Sequence, residues 1–155
     1  MKKIVEKLTK LNKTIATMES CTGGGVANAI TNIEGASNVL KFSAVTYSNE
    51  YKIKMGVSKD IIDKYTVYSI ETADEMSRNI SLFADSNYGV GITGQINRTD
   101  PANIVDKNNE IYISVYDKDN DRFYHKTLIA LNDTRENNKK YIIRNIINLL
   151  EDIIH

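Results

Sequence analysis

The stretch Thr14-Ile15-Ala16-Thr17-Met18-Glu19-Ser20-Cys21-Thr22-Gly23-Gly24-Gly25-Val26-Ala27-Asn28-Ala29-Ile30 decides how this chain folds. Its first five residues form a short apolar, β-branched run, the signature of a strand. Glu19 to Gly25 is small and polar, after which Val26, Ala27, Ile30 and Ile33 recur at helical intervals. A strand therefore passes into a helix through a tight turn, which is the repeating joint of α/β architecture.

Working outward, Ile4, Val5, Leu8 and Leu11 have the spacing of one helical face, interrupted at Asn12-Lys13. Downstream, Val39 to Tyr47 alternates as a second strand, with Phe42, Ala44 and Thr46 set against Ser43, Val45 and Tyr47. Asn49 is expected to cap a short helix that Gly56 ends. From Ser69, a cap, the residues Ala73, Met76, Ile80 and Phe83 mark one face of a longer helix, and Tyr88 to Thr93 reads as a buried strand. Ile111, Ile113 and Val115 alternate with Tyr112, Ser114 and Tyr116; after the turn-rich Asp117 to Asp121, a second alternating run covers Arg122 to Leu131, giving an antiparallel hairpin. The last 20 residues carry a broad stripe, Ile142, Ile143, Ile146, Ile147, Leu149, Leu150, Ile153 and Ile154, of the kind that packs on a sheet. The expected fold is a three-layer α/β/α sandwich around a mixed, mostly parallel five-stranded sheet. With no internal repeat and no Pro/Gly/Ser linker, residues 1–155 read as one unit.

The 20 Lys plus Arg residues balance 20 Asp plus Glu, so there is no long-range positive field for non-specific nucleic-acid binding. The basic doublets Lys2-Lys3 and Lys139-Lys140 lie in helix-like patterns, where charges face water. A single cysteine, Cys21, excludes an internal disulfide and a cysteine-rich metal site. The N-terminus intersperses charges among its apolar residues, unlike a signal peptide, and no run reaches the roughly 20 apolar residues of a membrane span. The expectation is a cytoplasmic protein with no nucleic-acid or membrane partner.

Chemistry concentrates at Glu19 to Gly25. Ser20 offers a hydroxyl, the glycines permit close approach, and amides from about Cys21 to Gly23 at a helix start suit a phosphate or an oxyanion. The same cluster also reads as an ordinary helix cap and turn. A serine needs a base. The two histidines are His125, in the late hairpin, and His155, the final residue. Lysine is the other solution, provided burial or nearby positive charge favours its neutral form. Lys52 follows the second strand, and ligands gather beyond the carboxyl ends of parallel strands, so Ser20 and Lys52 converge if their strands are parallel neighbours. Cys21, beside the same helix start, is a competing nucleophile.

The block ESCTGG at Glu19 to Gly24, VTYSNEYK at Val45 to Lys52, Tyr68-Ser69 before a helix, and the strand ending in Thr93-Gly94 together resemble the CinA C-terminal domain family, over nearly the whole chain. That family includes the nicotinamide-nucleotide amidohydrolases, or NMN deamidases. The resemblance implies hydrolysis of nicotinamide mononucleotide to nicotinate mononucleotide and ammonia, with Ser20 as nucleophile and Lys52 as base. It further implies a pocket shaped by Cys21, Thr22, Gly23, Gly24, Tyr47, Ser48, Asn49, Thr93 and Gly94, with a cation such as Arg135 for the nucleotide phosphate. It implies no metal and no organic cofactor, a small-molecule nucleotide as partner, and a homodimer as the candidate assembly. One departure stands out. The family continues after Thr93-Gly94 with a glycine- and proline-rich loop, whereas this chain reads Gln95-Ile96-Asn97-Arg98-Thr99-Asp100-Pro101-Ala102-Asn103. Bulk and charge replace glycine there, with Arg98 available to a phosphate. This motivates a second reading, a catalytically altered nucleotide-binding or regulatory module.

Overall fold

The computed structural model describes residues 1–98, 101–103 and 109–155. Thr99 and Asp100 of the divergent run lie outside the described residues. Five strands, β1 (Ile15–Glu19), β2 (Leu40–Val45), β3 (Tyr88–Gly94), β4 (Glu110–Asp117) and β5 (Arg122–Ile129), form one sheet in the order β2-β1-β3-β4-β5. β1 pairs parallel with both β2 and β3, and β3–β4 and β4–β5 are antiparallel. Only β4 runs against the others, so the expected mixed, mostly parallel sheet is what forms. All five β1 residues are buried because a central strand is covered on both faces.

Period-2 alternation sends the two sides of each strand to different cores. Ile15, Val90, Ile92, Ile111, Ile113 and Val115 face a cluster made with α1 (Lys2–Lys10), α2 (Gly25–Thr31) and α6 (Arg135–Ile153). The terminal stripe is consumed there: Ile142, Ile146 and Leu150 are fully buried, and none of the exposed large apolar residues belongs to α6. Ala16 and Met18 face the opposite layer, where Met76 and Ile80 of α5 (Ile70–Ala84) join Val57, Ile62, Val67 and Tyr68.

The α5 side of the sheet is unusually thin. Gly89 and Gly91 of β3 meet Ala73, Ser77 and Ser81 of α5, so the helix backbone lies against the strand. A polar seam closes this contact: Ser77 Oγ and Ser114 Oγ are 2.9 Å apart, and Ser114 Oγ donates to Asp74 Oδ1 at 2.6 Å.

Local differences from the sequence reading have simple causes. Ser48, not Asn49, caps α3 (Asn49–Lys54), its Oγ accepting from the Tyr51 amide at 3.3 Å. Gly56 follows that helix with φ of 98°, as expected of a helix stop. A further helix, α4 (Lys59–Tyr65), buries only Ile62 and so carries too little periodicity to be read. A 3₁₀ turn, Ala36–Asn38, also went unread, and β5 ends at Ile129 rather than Leu131. Ser69 caps α5 by accepting from the Thr72 amide, as expected. Among the described residues no helix is long and apolar enough to cross a membrane.

Candidate active site

Ser20 is the first residue after β1, and its amide still donates to Ile92 O of β3 at 3.0 Å, so its position is set by the sheet. Thr46 stands at the same level after β2, its amide donating to Glu19 O at 2.8 Å. Lys52, on α3, reaches back toward this edge. Its Nζ lies 2.8 Å from Thr46 O and 3.1 Å from Ser20 Oγ. The side chain is only 2% exposed, an enclosed setting of the kind from which lysines act as bases. The parallel β1–β2 pairing thus brings Ser20 and Lys52 together at the carboxyl ends of adjacent strands.

The pair sits in a cavity of about 240 Å³. Cys21, Tyr68, Thr93, Gly94 and Gln95 also line it, and Tyr47, Arg98, Pro101, Asn103 and Arg135 are among the other described lining residues. Thr93 Oγ1 is committed to Val67 O at 2.7 Å. Arg135 donates to Ile96 O and, at 3.1 Å, to Tyr47 Oη, linking α6 to the mouth. Among the described lining residues, Arg98 and Arg135 are cationic and none is acidic.

Thr22, Gly23, Gly24, Ser48 and Asn49 do not line the cavity. Ser48 and Asn49 are engaged with Tyr51 and Asn103, and the Thr22–Gly24 turn is organised by Glu19. Glu19 is fully buried, and its carboxylate accepts from the Val26 amide (3.0 Å), the Ala27 amide (2.8 Å), Thr22 Oγ1 (2.6 Å) and Thr17 Oγ1 (3.2 Å). α2 begins at Gly25, and Glu19 takes up its first amides from within the fold. The Val26 and Ala27 amides of α2 are thus already taken, and the Gly23 amide donates to Ser20 O at 3.0 Å. Gly23 and Gly24, with φ of 61° and 89°, make the left-handed turn, and a Cβ on Gly25 would strike Ile143 of α6 at 2.7 Å. These glycines admit neighbouring parts of the chain rather than a ligand. The amides of Cys21 and Thr22, by contrast, donate to no backbone or side-chain oxygen among the described residues. A buried carboxylate joined to a Gly-rich turn by a Thr three residues on was the available signal.

The other candidates separate cleanly. His125 Nε2 is 2.7 Å from Asp74 Oδ1, on β5 against α5, and neither histidine lines the cavity. Burial pushes the Cys21 thiol up to about 12, so it stays protonated at neutral pH and is a poor nucleophile. Native protein should therefore resist iodoacetamide at pH 8 and react only after denaturation, and Cys21→Ala should retain activity. Stoichiometric alkylation of the folded protein, followed by mass spectrometry, would contradict this. No group of three or more His, Cys, Asp or Glu side chains suited to a metal ion occurs among the described residues.

With the geometry in place, comparison with known proteins defines the class. Residues 1–154 match the model of the CinA C-terminal domain, and the chain belongs to that family. A competence-damage inducible protein of Caldanaerobacter subterraneus subsp. tengcongensis is 48% identical over 92 residues, 59% of this chain and 22% of that protein. One from Clostridium botulinum, strain ATCC 19397, is 48% identical over 88 residues, 56% of this chain and 22% of that protein. The matched region thus spans about a fifth of the length of these curated relatives. Among solved structures, competence/damage inducible protein CihA of Agrobacterium tumefaciens superposes with a TM-score of 0.84 at 26% identity, covering 98% of this chain and 90% of that one. A CinA superfamily protein of Escherichia coli reaches a TM-score of 0.85 at 21% identity, over 98% and 87% of the two chains, a likeness of fold.

Proposed function

We propose that this protein is a serine/lysine amidohydrolase that converts nicotinamide mononucleotide, or a related carboxamide, to the carboxylate and ammonia. The single observation that carries the reading is the 3.1 Å approach of the buried Lys52 amine to the Ser20 hydroxyl at the base of a cationic cavity. Ser20 Oγ adds to the carboxamide carbon while Lys52 Nζ takes its proton. The backbone amide of Cys21, next to Ser20 and in the cavity lining, is the donor best placed for the oxyanion that forms. Lys52 then returns the proton to the departing nitrogen, ammonia leaves, and an ester to Ser20 remains. Water, deprotonated by the same amine, cleaves the ester to carboxylate and free serine. Thr46 O, accepting from Nζ throughout, keeps the amine aimed. Arg98 and Arg135 at the mouth suit the phosphate of a mononucleotide.

The test is ammonia release by purified, folded protein from nicotinamide mononucleotide and a panel of other pyridine nucleotides and amides. Release from at least one is expected, and none from any would end this reading. The divergent run places Arg98 and Pro101 in the cavity wall, which favours a nucleotide-binding module as the second reading. Calorimetric binding of the mononucleotide without product would decide for it.

A further inference from the structure

We infer that Asn49 and Asn103 form a positioning latch that sets how the cavity mouth selects for an anionic group. The two side-chain amides exchange a reciprocal pair of hydrogen bonds, Asn49 Nδ2 to Asn103 Oδ1 at 2.7 Å and Asn103 Nδ2 to Asn49 Oδ1 at 3.1 Å. A two-bond amide pair fixes orientation as well as distance. Asn49 opens α3, three residues before Lys52, and does not line the cavity; Asn103 does. The latch therefore ties the wall that follows β3 to the helix that carries Lys52.

The near end of that wall is anchored separately. Asn97, held at φ of 63°, donates to Asp133 O at 2.6 Å, and the buried Asn138 donates to Asn97 Oδ1 at 3.2 Å. Arg98 follows this anchor in the chain and lines the same cavity as Asn103 and Arg135. Asn49 and Asn103 thus act through Arg98, as positioning residues, and the group they help select is a phosphate on the far end of the substrate.

This inference rests on the proposed amidohydrolase reading for the identity of the ligand, and its test separates the two. In a Ser20→Ala background, calorimetry measures affinity for nicotinamide mononucleotide and for its unphosphorylated riboside. Asn49→Ala, Asn103→Ala and Arg98→Ala should each weaken the mononucleotide about tenfold, the scale of one charge-assisted hydrogen bond, and leave the riboside within about twofold. The Asn49→Ala/Asn103→Ala double variant should match either single one. Additive losses, equal weakening of both ligands, or unchanged affinity would overturn the latch. Amide exchange at Arg98 and Ala102, read by NMR without ligand, should accelerate equally in both single variants and the double. Unchanged exchange would overturn the latch even if wild-type protein releases ammonia, and accelerated exchange would support it even if none is released.

Discussion

Lys52→Met should remove ammonia release, lowering kcat by roughly a thousandfold or more, and leave a folded protein. The two expectations come from the same geometry. Lys52 is buried to 2% exposure and its only chemistry in the proposed cycle is to accept and return a proton next to Ser20. Methionine fills nearly the same channel without an amine, so the volume is kept and the burden of burying an ionisable group disappears. Against that, Thr46 O loses its donor, a loss of about 1–3 kcal/mol for a buried group. These opposing changes should leave the melting temperature within a few degrees. Ser20→Ala should fall as far in kcat, and the double variant no further, because the two side chains serve one proton transfer. Steady-state ammonia release with circular dichroism on all three variants provides the measurement. A folded Lys52→Met protein that keeps a tenth of wild-type turnover would remove the amine from the mechanism.

The largest expected effect on stability lies far from the cavity mouth. A Cβ at Gly89 would sit 1.9 Å from Ser77 O, and one at Gly91 would sit 2.3 Å from Ala73 O and 2.6 Å from Ser77 N. All three are backbone atoms of α5, which no rotamer change can move aside. The helix would have to lift from the sheet, breaking the Ser77–Ser114 contact and opening the packing of Met76 and Ile80. Gly89→Ala and Gly91→Ala should each cost about 4 kcal/mol or more, beyond the usual range for overpacking. Since domains of this kind are stable by about 5–15 kcal/mol, the double substitution is expected to yield no folded protein. Urea denaturation reads the effect, and a loss under about 1 kcal/mol at either position would show that α5 can yield.

The fold was legible because its signals are periodic. Alternation in β4 and β5 and the stripe of α6 specify type and burial directly, and the Thr14–Ile30 joint orders them into layers. The approach of Ser20 to Lys52 was legible by a longer route, since it required β1 and β2 to be parallel neighbours. What could not be read is what depends on exact placement. The sequence offers only Thr22, three residues on, as a sign that the Glu19 carboxylate turns inward to meet Val26 and Ala27, because a charged residue at a strand end ordinarily faces water. The three glycines were read as room for a ligand, whereas Val45, Lys139 and Ile143 stand closest to them. The Asn49–Asn103 pair spans 54 positions and has no local signature at all.

Glu19 also bears on how such a domain can diversify. Because an internal carboxylate satisfies the start of α2, recognition of a ligand falls, on the proposed reading, to side chains at positions such as 98, 103 and 135. Substitutions at the mouth can therefore retune ligand preference without disturbing the joint that presents the hydroxyl. On that reading the reacting centre and the selecting rim are separable parts of one small domain.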